Sequence, residues 1–222
     1  MSQEDFLDAL VENLEPVQRA RPWSRVLCIW CGFSGCLIAA VILTIGPLRD
    51  GILNEFLGSP RLFLELAIGM LAGVAAIVVA LELGVPGTPI PRRLWRAPPV
   101  LFALWAFVIL AQLVHPASSG QGSNGMRTHC FLQTLSASLP SAMLAIYLLH
   151  GRILFETRRA GCLAGMAAAA LPALWMEFSC MTSPMHALKF HLSPILLVGA
   201  LTALLANLLV ANDGFPSRLP RY

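Results

Sequence analysis

Two cysteines carry the most distinctive chemistry in this sequence. Cys130 lies in THCF, directly after His129, and Cys180 lies in EFSCMTSPMHALKFH, which also holds Glu177, Met181, Met185, His186 and His191. A thiolate is a nucleophile, a redox centre and a soft metal ligand, and imidazole joins it in binding zinc and copper. Spacing alone leaves three readings open. The pair forms a disulfide if the α-carbons approach within about 7 Å. It shares a metal ion, with His129 and His186 as further ligands. Or the two thiols are unrelated. Cys28, Cys31, Cys36 and Cys162 lie in apolar runs, where cysteine acts as a small packing residue. Cys28-x-x-Cys31 lacks the second pair that a metal site of that type needs.

Other chemistries lack their residues. The sequence has no glycine-rich phosphate loop, no metalloprotease motif and no nucleophile–base pair, so it reads as a non-enzyme. A thiol oxidoreductase is one alternative, but it calls for an exposed low-pKa pair, often C-x-x-C at a helix start. A small metal transporter is another, and it calls for ionisable groups or broken helices at mid-membrane. No basic patch suggests direct contact with nucleic acid.

The elements that must position the cysteines are membrane spans. Hydrophobic residues make up 57% of the chain and charged residues 12%, against about 25% charged in soluble domains. With a mean hydropathy of +0.71, this is an integral membrane protein. A spanning helix needs about 20 mostly apolar residues. Six runs qualify, at about 26–47, 62–83, 94–114, 129–149, 160–178 and 188–210, giving an all-α six-helix bundle over 23–212. The gaps hold turn formers (GSP, GVPGTPIP, HPASSGQGSNG, TSP), and no gap has room for a folded domain. The acidic start is unlike a cleavable signal peptide, so the first span is expected to be retained.

Basic residues set the orientation. Arg19, Arg21, Arg25, Arg92, Arg93, Arg96, Arg152, Arg158, Arg159, Arg218 and Arg221 fall on one side, and Arg49, Arg61, Arg127 and Lys189 on the other. The richer side is expected to be cytoplasmic, with both termini and a short tail at 213–222. Cys130, Cys180 and four of the five histidines then face the opposite compartment, which is oxidising outside a bacterial inner membrane. Gly69-x-x-x-Gly73 and Gly161-x-x-x-Gly165 predict close helix packing, within one chain or between two. Glu65, Glu82 and Glu177 lie near span ends, where they are expected to reach water. Gln112, Gln133 and Asn207 are expected to bond across helices.

Residues 1–22 stand apart. The first fifteen hold Glu4, Asp5, Asp8, Glu12 and Glu15 and no basic residue. On a helical wheel Phe6, Leu7, Leu10, Val11 and Leu14 cover about 0° to 140°, and the acids about 160° to 260°. Such a helix is marginal alone in water and needs a cover for its apolar stripe. An anionic bilayer surface attracts basic helices, so a protein groove with a basic rim suits it better than lipid does; packing on the protein's own basic loops is the other alternative.

Several stretches, in order, give the chain a family likeness: DFLDALVENLEPVQRARP, GSPRLFLELAIGMLAGVAAIVVALELGVPG, CFLQTLSASLPSAML and EFSCMTSPMHALKFHLSPILLVGAL. The chain resembles the NrsF-type (negative regulator of sigma F) anti-sigma factors, six-span proteins of the bacterial inner membrane. The first span and the loop at 116–125 are peculiar to this sequence. The resemblance implies that an extracytoplasmic-function sigma factor is the partner, sequestered at the membrane and released under stress. It implies that Cys130 and Cys180 are the sensing residues; no cofactor is required, and a metal ion bound at Cys130 and Cys180 is one of the readings that spacing leaves open. It also gives the acidic segment, Glu4 to Glu15, its role as the sigma-holding element.

Overall fold

In a bilayer the backbone finds no water to bond, so each apolar run must close its own hydrogen bonds as a helix. The computed structural model describes residues 22–44, 48, 51–84, 90–114, 129–150, 156–180 and 183–212. The acidic segment from Glu4 to Glu15, Arg19, Arg21, the loop at 116–125 and the tail at 213–222 lie outside the described residues. All described elements are helices: α1 Trp23–Thr44, α2 Ile52–Gly58, α3 Pro60–Leu83, α4 Arg92–Ala111, α5 Cys130–His150 and α6 Thr157–Ser179. The last, α7, runs as Pro184–Ala187, a π-helical turn Leu188–Leu192, and Ser193–Asn212. Six of these helices are long and apolar enough to cross a membrane.

Helix ends follow backbone chemistry more closely than hydropathy. The first helix begins at Trp23, not at 26, because the Pro22 carbonyl accepts from the amides of Arg25 and Val26 (3.2 and 3.4 Å). In the same way the Pro91 carbonyl accepts from Leu94 and Trp95 (2.9 and 3.2 Å), so α4 takes in Arg92 and Arg93. α4 stops at Ala111, short of the expected 114. Ser59 caps α3, with Pro60 in the first turn. α7 starts at Pro184, four residues ahead of the expected 188. The short α2 was not expected; it starts after Gly51, whose φ of 76° is left-handed and suits glycine. Phe56 of α2 meets Phe178 of α6 with centroids 5.8 Å apart, so α2 sits against the end of α6.

The bundle is built around α6. Its membrane-crossing window is 72% buried, against 17% for α4 and 22% for α1. α6 packs most extensively on α7, then on α3 and α5. The sequence reason is its small side chains: Gly161, Ala164, Gly165 and Ala167 to Ala170 are all buried. A Cβ on Gly161 would stand 2.8 Å from both the Ala206 Cβ and the Thr202 carbonyl oxygen of α7. One on Gly165 would stand 2.7 Å from the Val198 carbonyl and also strike the Thr202 hydroxyl. Gly69 and Gly73 of α3 likewise receive Leu174 and Ala170 of α6. Both glycine motifs thus pack within the chain.

The bundle has two chemically distinct ends. At one lie Arg25, Arg92, Arg93, Arg96, Arg158 and Arg159, all exposed. There the Arg159 guanidinium lies over the Trp95 ring, 5.4 Å from its centroid, and Arg158 Nε donates to Asn207 Oδ1 (3.3 Å). At the other end lie Cys130 and Cys180. On one side of the bundle a groove of about 220 Å³ separates α1 from α3 and α6, lined by Trp30, Ser34, Gly69, Gly73, Ala167 and Ala170.

Gly165→Val should overpack the α6–α7 contact at a cost of about 1–3 kcal/mol. It is read as a lower thermal midpoint in detergent. Gly32→Ala, with no atom within 4 Å of the new Cβ, should leave the midpoint unchanged.

Candidate functional site

Cys130 is the first residue of α5 and Cys180 follows the last residue of α6, so both are set by helix ends. The Cys180 amide still donates to the Met176 carbonyl (2.8 Å), which fixes it as the chain turns away. The two sulfurs stand 3.1 Å apart, and both are buried. Disulfide bonding needs about 2.05 Å, a distance that small side-chain rotations reach. Ile38, Val41, Ala137, Trp175 and Met176 wall the pair on its apolar side.

α7 brings two imidazoles to the same place. His186 Nε2 is 3.3 Å from Cys180 Sγ. The His191 ring lies edge-on to His186, centroids 5.2 Å apart. Ligand atoms of Cys130, Cys180, His186 and His191 all lie within 4.8 Å of one another. His191 is fully buried, and neither of its ring nitrogens has a hydrogen-bond partner. A buried polar group without a partner is costly; a metal bond would employ one nitrogen.

The π-helical turn makes this group possible. In an α-helix, residues five apart point about 140° away from each other. In α7 the Ser193 amide donates to Leu188 O, five residues back, so the turn is widened. Residues five apart then fall on one face, and His191 joins His186 beside the cysteines. π-Turns of this kind are frequent at functional sites.

Two thiols and two imidazoles form a Cys₂His₂ donor set. Tetrahedral zinc, with bonds of about 2.0–2.3 Å, holds its ligands about 3.3–3.8 Å apart. A contraction of the four donors onto a central ion meets that spacing. Thiolate donors select zinc, copper(I) and similar soft ions. His186 is partly exposed and forms the lip of the site, with exposed Met185 beside it.

His129, expected as a ligand beside Cys130, is exposed and outside this group. It precedes α5 by one residue, and its carbonyl, accepting from Gln133 N at 2.9 Å, serves the first turn of the helix. His191 takes the place expected for it, although no ligand-like spacing singles it out.

A second polar group lies at the same end. Arg61 Nε and Gln112 Nε2 both donate to Glu65 Oε1, at 2.9 and 2.6 Å. Glu65 is buried, and Glu177 Oε1 is sealed from solvent near the Trp105 indole without a well-formed hydrogen bond. The expectation that Glu65 reaches water is corrected: closeness to a span end sets depth, while helix rotation turns this side chain into the bundle; Glu177 is half-buried, with one carboxylate oxygen turned inward. A cavity of about 20 Å³ between Glu65, Gln112, Glu177 and Ala187 has room for one water. Ala187 lies between the two site histidines in sequence, so this cavity abuts their segment.

The cysteines of the first span also depart from expectation. Cys28, Cys31 and Cys36 are exposed on the outside of the bundle, because α1 offers only one narrow face to its neighbours.

A family model described as NrsF, negative regulator of sigma F, matches residues 10–211. The chain belongs to the NrsF family. Comparisons with curated proteins and with solved structures give no match. As an NrsF-family protein this chain is a membrane-embedded negative regulator with a sigma factor as its partner.

Mild oxidation of the purified protein with diamide should join Cys130 to Cys180, seen as one linked peptide pair by mass spectrometry. If Cys130 or Cys180 instead pairs mainly with Cys162 or the α1 cysteines, the proximity described here is wrong.

Proposed function

We propose that this chain is an inner-membrane anti-sigma factor that holds an extracytoplasmic-function sigma factor and releases it when the Cys130–Cys180 centre is filled or oxidised. It acts by binding, not by catalysis. The observation that carries this reading is the meeting of two thiols and two imidazoles at the end of the bundle opposite Pro22, where the acidic segment is attached.

Arginine counts favour a cytoplasmic location for the Pro22 end, and the cysteines then face the periplasm. Sigma is held by the segment containing Glu4, Asp5, Phe6, Leu7, Asp8, Leu10, Val11, Glu12, Leu14 and Glu15. Its apolar stripe supplies most of the affinity, and its acids match a basic, DNA-directed surface on sigma.

Two inputs act on the centre. A soft metal ion would be held by the thiolates of Cys130 and Cys180 with His186 and His191, drawing the ends of α5, α6 and α7 together. Oxidation joins the two sulfurs, and two electrons and two protons pass to the oxidant. Either event links α5 to α6. With 23 residues, α6 carries the change about 34 Å to the opposite end. Moving sigma from almost fully held to almost fully released takes about 5.5 kcal/mol of differential binding.

Full-length protein should retain sigma in a pull-down, and both Leu7→Asp with Leu10→Asp and deletion of residues 2–15 should lose it. Retention after the deletion would move the holding element to the arginine loops or the tail. Cys130→Ser with Cys180→Ser should keep sigma bound and abolish release under metal or oxidant stress.

The ligand set has its own test. His191→Gln should weaken zinc binding by more than about tenfold in equilibrium dialysis, the least expected for losing a ligand. His129→Gln should not change it. Equal effects of the two would remove His191 from the site.

A further inference from the structure

The arginine end of the bundle carries more positive charge than its own acids balance. Among the described residues it holds Arg25, Arg92, Arg93, Arg96, Arg158 and Arg159 against Glu82 and Glu156. Glu156 is already bound by Arg159 Nη1 at 2.8 Å. The six guanidinium groups are exposed and come from three helix starts: α1, α4 and α6. The Arg159–Trp95 contact holds the α4 and α6 starts together, so their arginines form one continuous surface.

The chain enters the bundle at this same surface. Ahead of Pro22 lies the stretch with five carboxylates and no cation in its first fifteen residues. From Glu15 to Pro22 the tether is seven residues, an extended reach of about 24 Å. That length allows the segment to lie across the starts of α4 and α6. Its charge is opposite to theirs.

Building on the proposed function, we propose that residues 4–15 dock on the arginine surface of their own bundle when no sigma factor is held. Each exposed ion pair is weak. Tethering through a short linker, however, supplies an effective concentration of about millimolar, so a weak contact is well populated. Docked, the segment is withheld from sigma. The apparent affinity for sigma falls by the fraction of molecules that are latched. The latch also gives the distant centre something to act on. Arg158 and Arg159 ride on α6, whose other end carries Cys180, and a shift of that helix changes the surface the segment competes for.

Anionic lipid headgroups would suit the same arginines, and the experiment separates the two occupants. Benzoylphenylalanine is placed at Leu10 in the full-length protein, which is reconstituted in phosphatidylcholine nanodiscs without sigma and irradiated. Cross-links to the stretches 92–96 or 156–160 are expected. They should vanish in 0.5 M salt and in the triple variant Arg92→Gln, Arg93→Gln, Arg96→Gln. The same variant should bind sigma about three- to tenfold more tightly, as removal of a weak tethered competitor predicts. Absence of cross-links to those stretches overturns the latch and leaves the arginines to lipid. Weaker sigma binding by the variant also overturns it, and assigns the arginines to sigma. If the variant fails to insert, the salt arm decides, since it changes no residue. Cross-linking to added sigma is read separately in the wild type, so the sigma-holding reading and the latch can fail independently.

Discussion

Everything in this bundle depends on how closely α6 is approached by its neighbours. Helices in lipid gain little from hiding apolar surface, since the solvent is itself apolar. They associate through van der Waals contact, which falls off steeply with distance. The glycines and alanines of α6 let α3 and α7 come into near backbone contact. That contact brings the start of α7 beside the end of α6, and so brings His186 and His191 to Cys180. The donor set is a by-product of small residues placed many positions away.

The two ends of α6 have opposite chemistries. One end buries two thiols and an imidazole beneath a partly exposed lip. The other is wet, cationic and open. A single unbroken helix joins them, with Pro172 accommodated inside it. The glutamate group around Glu65 adds a buried polar contact between α3 and α4 at the cysteine end, where Gln112 bridges the helices. A disturbance at the cysteines therefore meets a packed, hydrogen-bonded neighbourhood, not a loose loop.

Much of this was legible in the sequence. Hydropathy located the six spans, and helix starts moved earlier where proline carbonyls extended them, as at Pro22 and Pro91, while α4 ended short, at Ala111. The glycine spacings predicted close approach, although not the neighbours. Cys130 and Cys180 were recognisable because each sits at a helix end on the same side. His191 was hidden, because its position depends on one inserted residue in a helical turn, and periodicity arguments assume a regular one. The burial of Glu65 was not legible because linear position reports depth in the membrane and not the direction a side chain faces. The exposure of Cys28, Cys31 and Cys36 depends on α1 lying at the edge of the bundle, which no local pattern in α1 encodes.

α1 is held unevenly along its length. Val26 and Trp30 join the main core, with the Trp30 indole donating to the Ser141 carbonyl (3.1 Å). Ile38 and Val41 join the wall of the cysteine pair. Between these anchorages lies the open groove along α3 and α6. Over that gap α1 has little side-chain packing beneath it, while most of the core is supplied by α3, α5, α6 and α7. The N-terminal segment hangs from one end of α1, and the thiols touch the other. How stiffly α1 joins the two is therefore decided by what fills the gap between its anchorages.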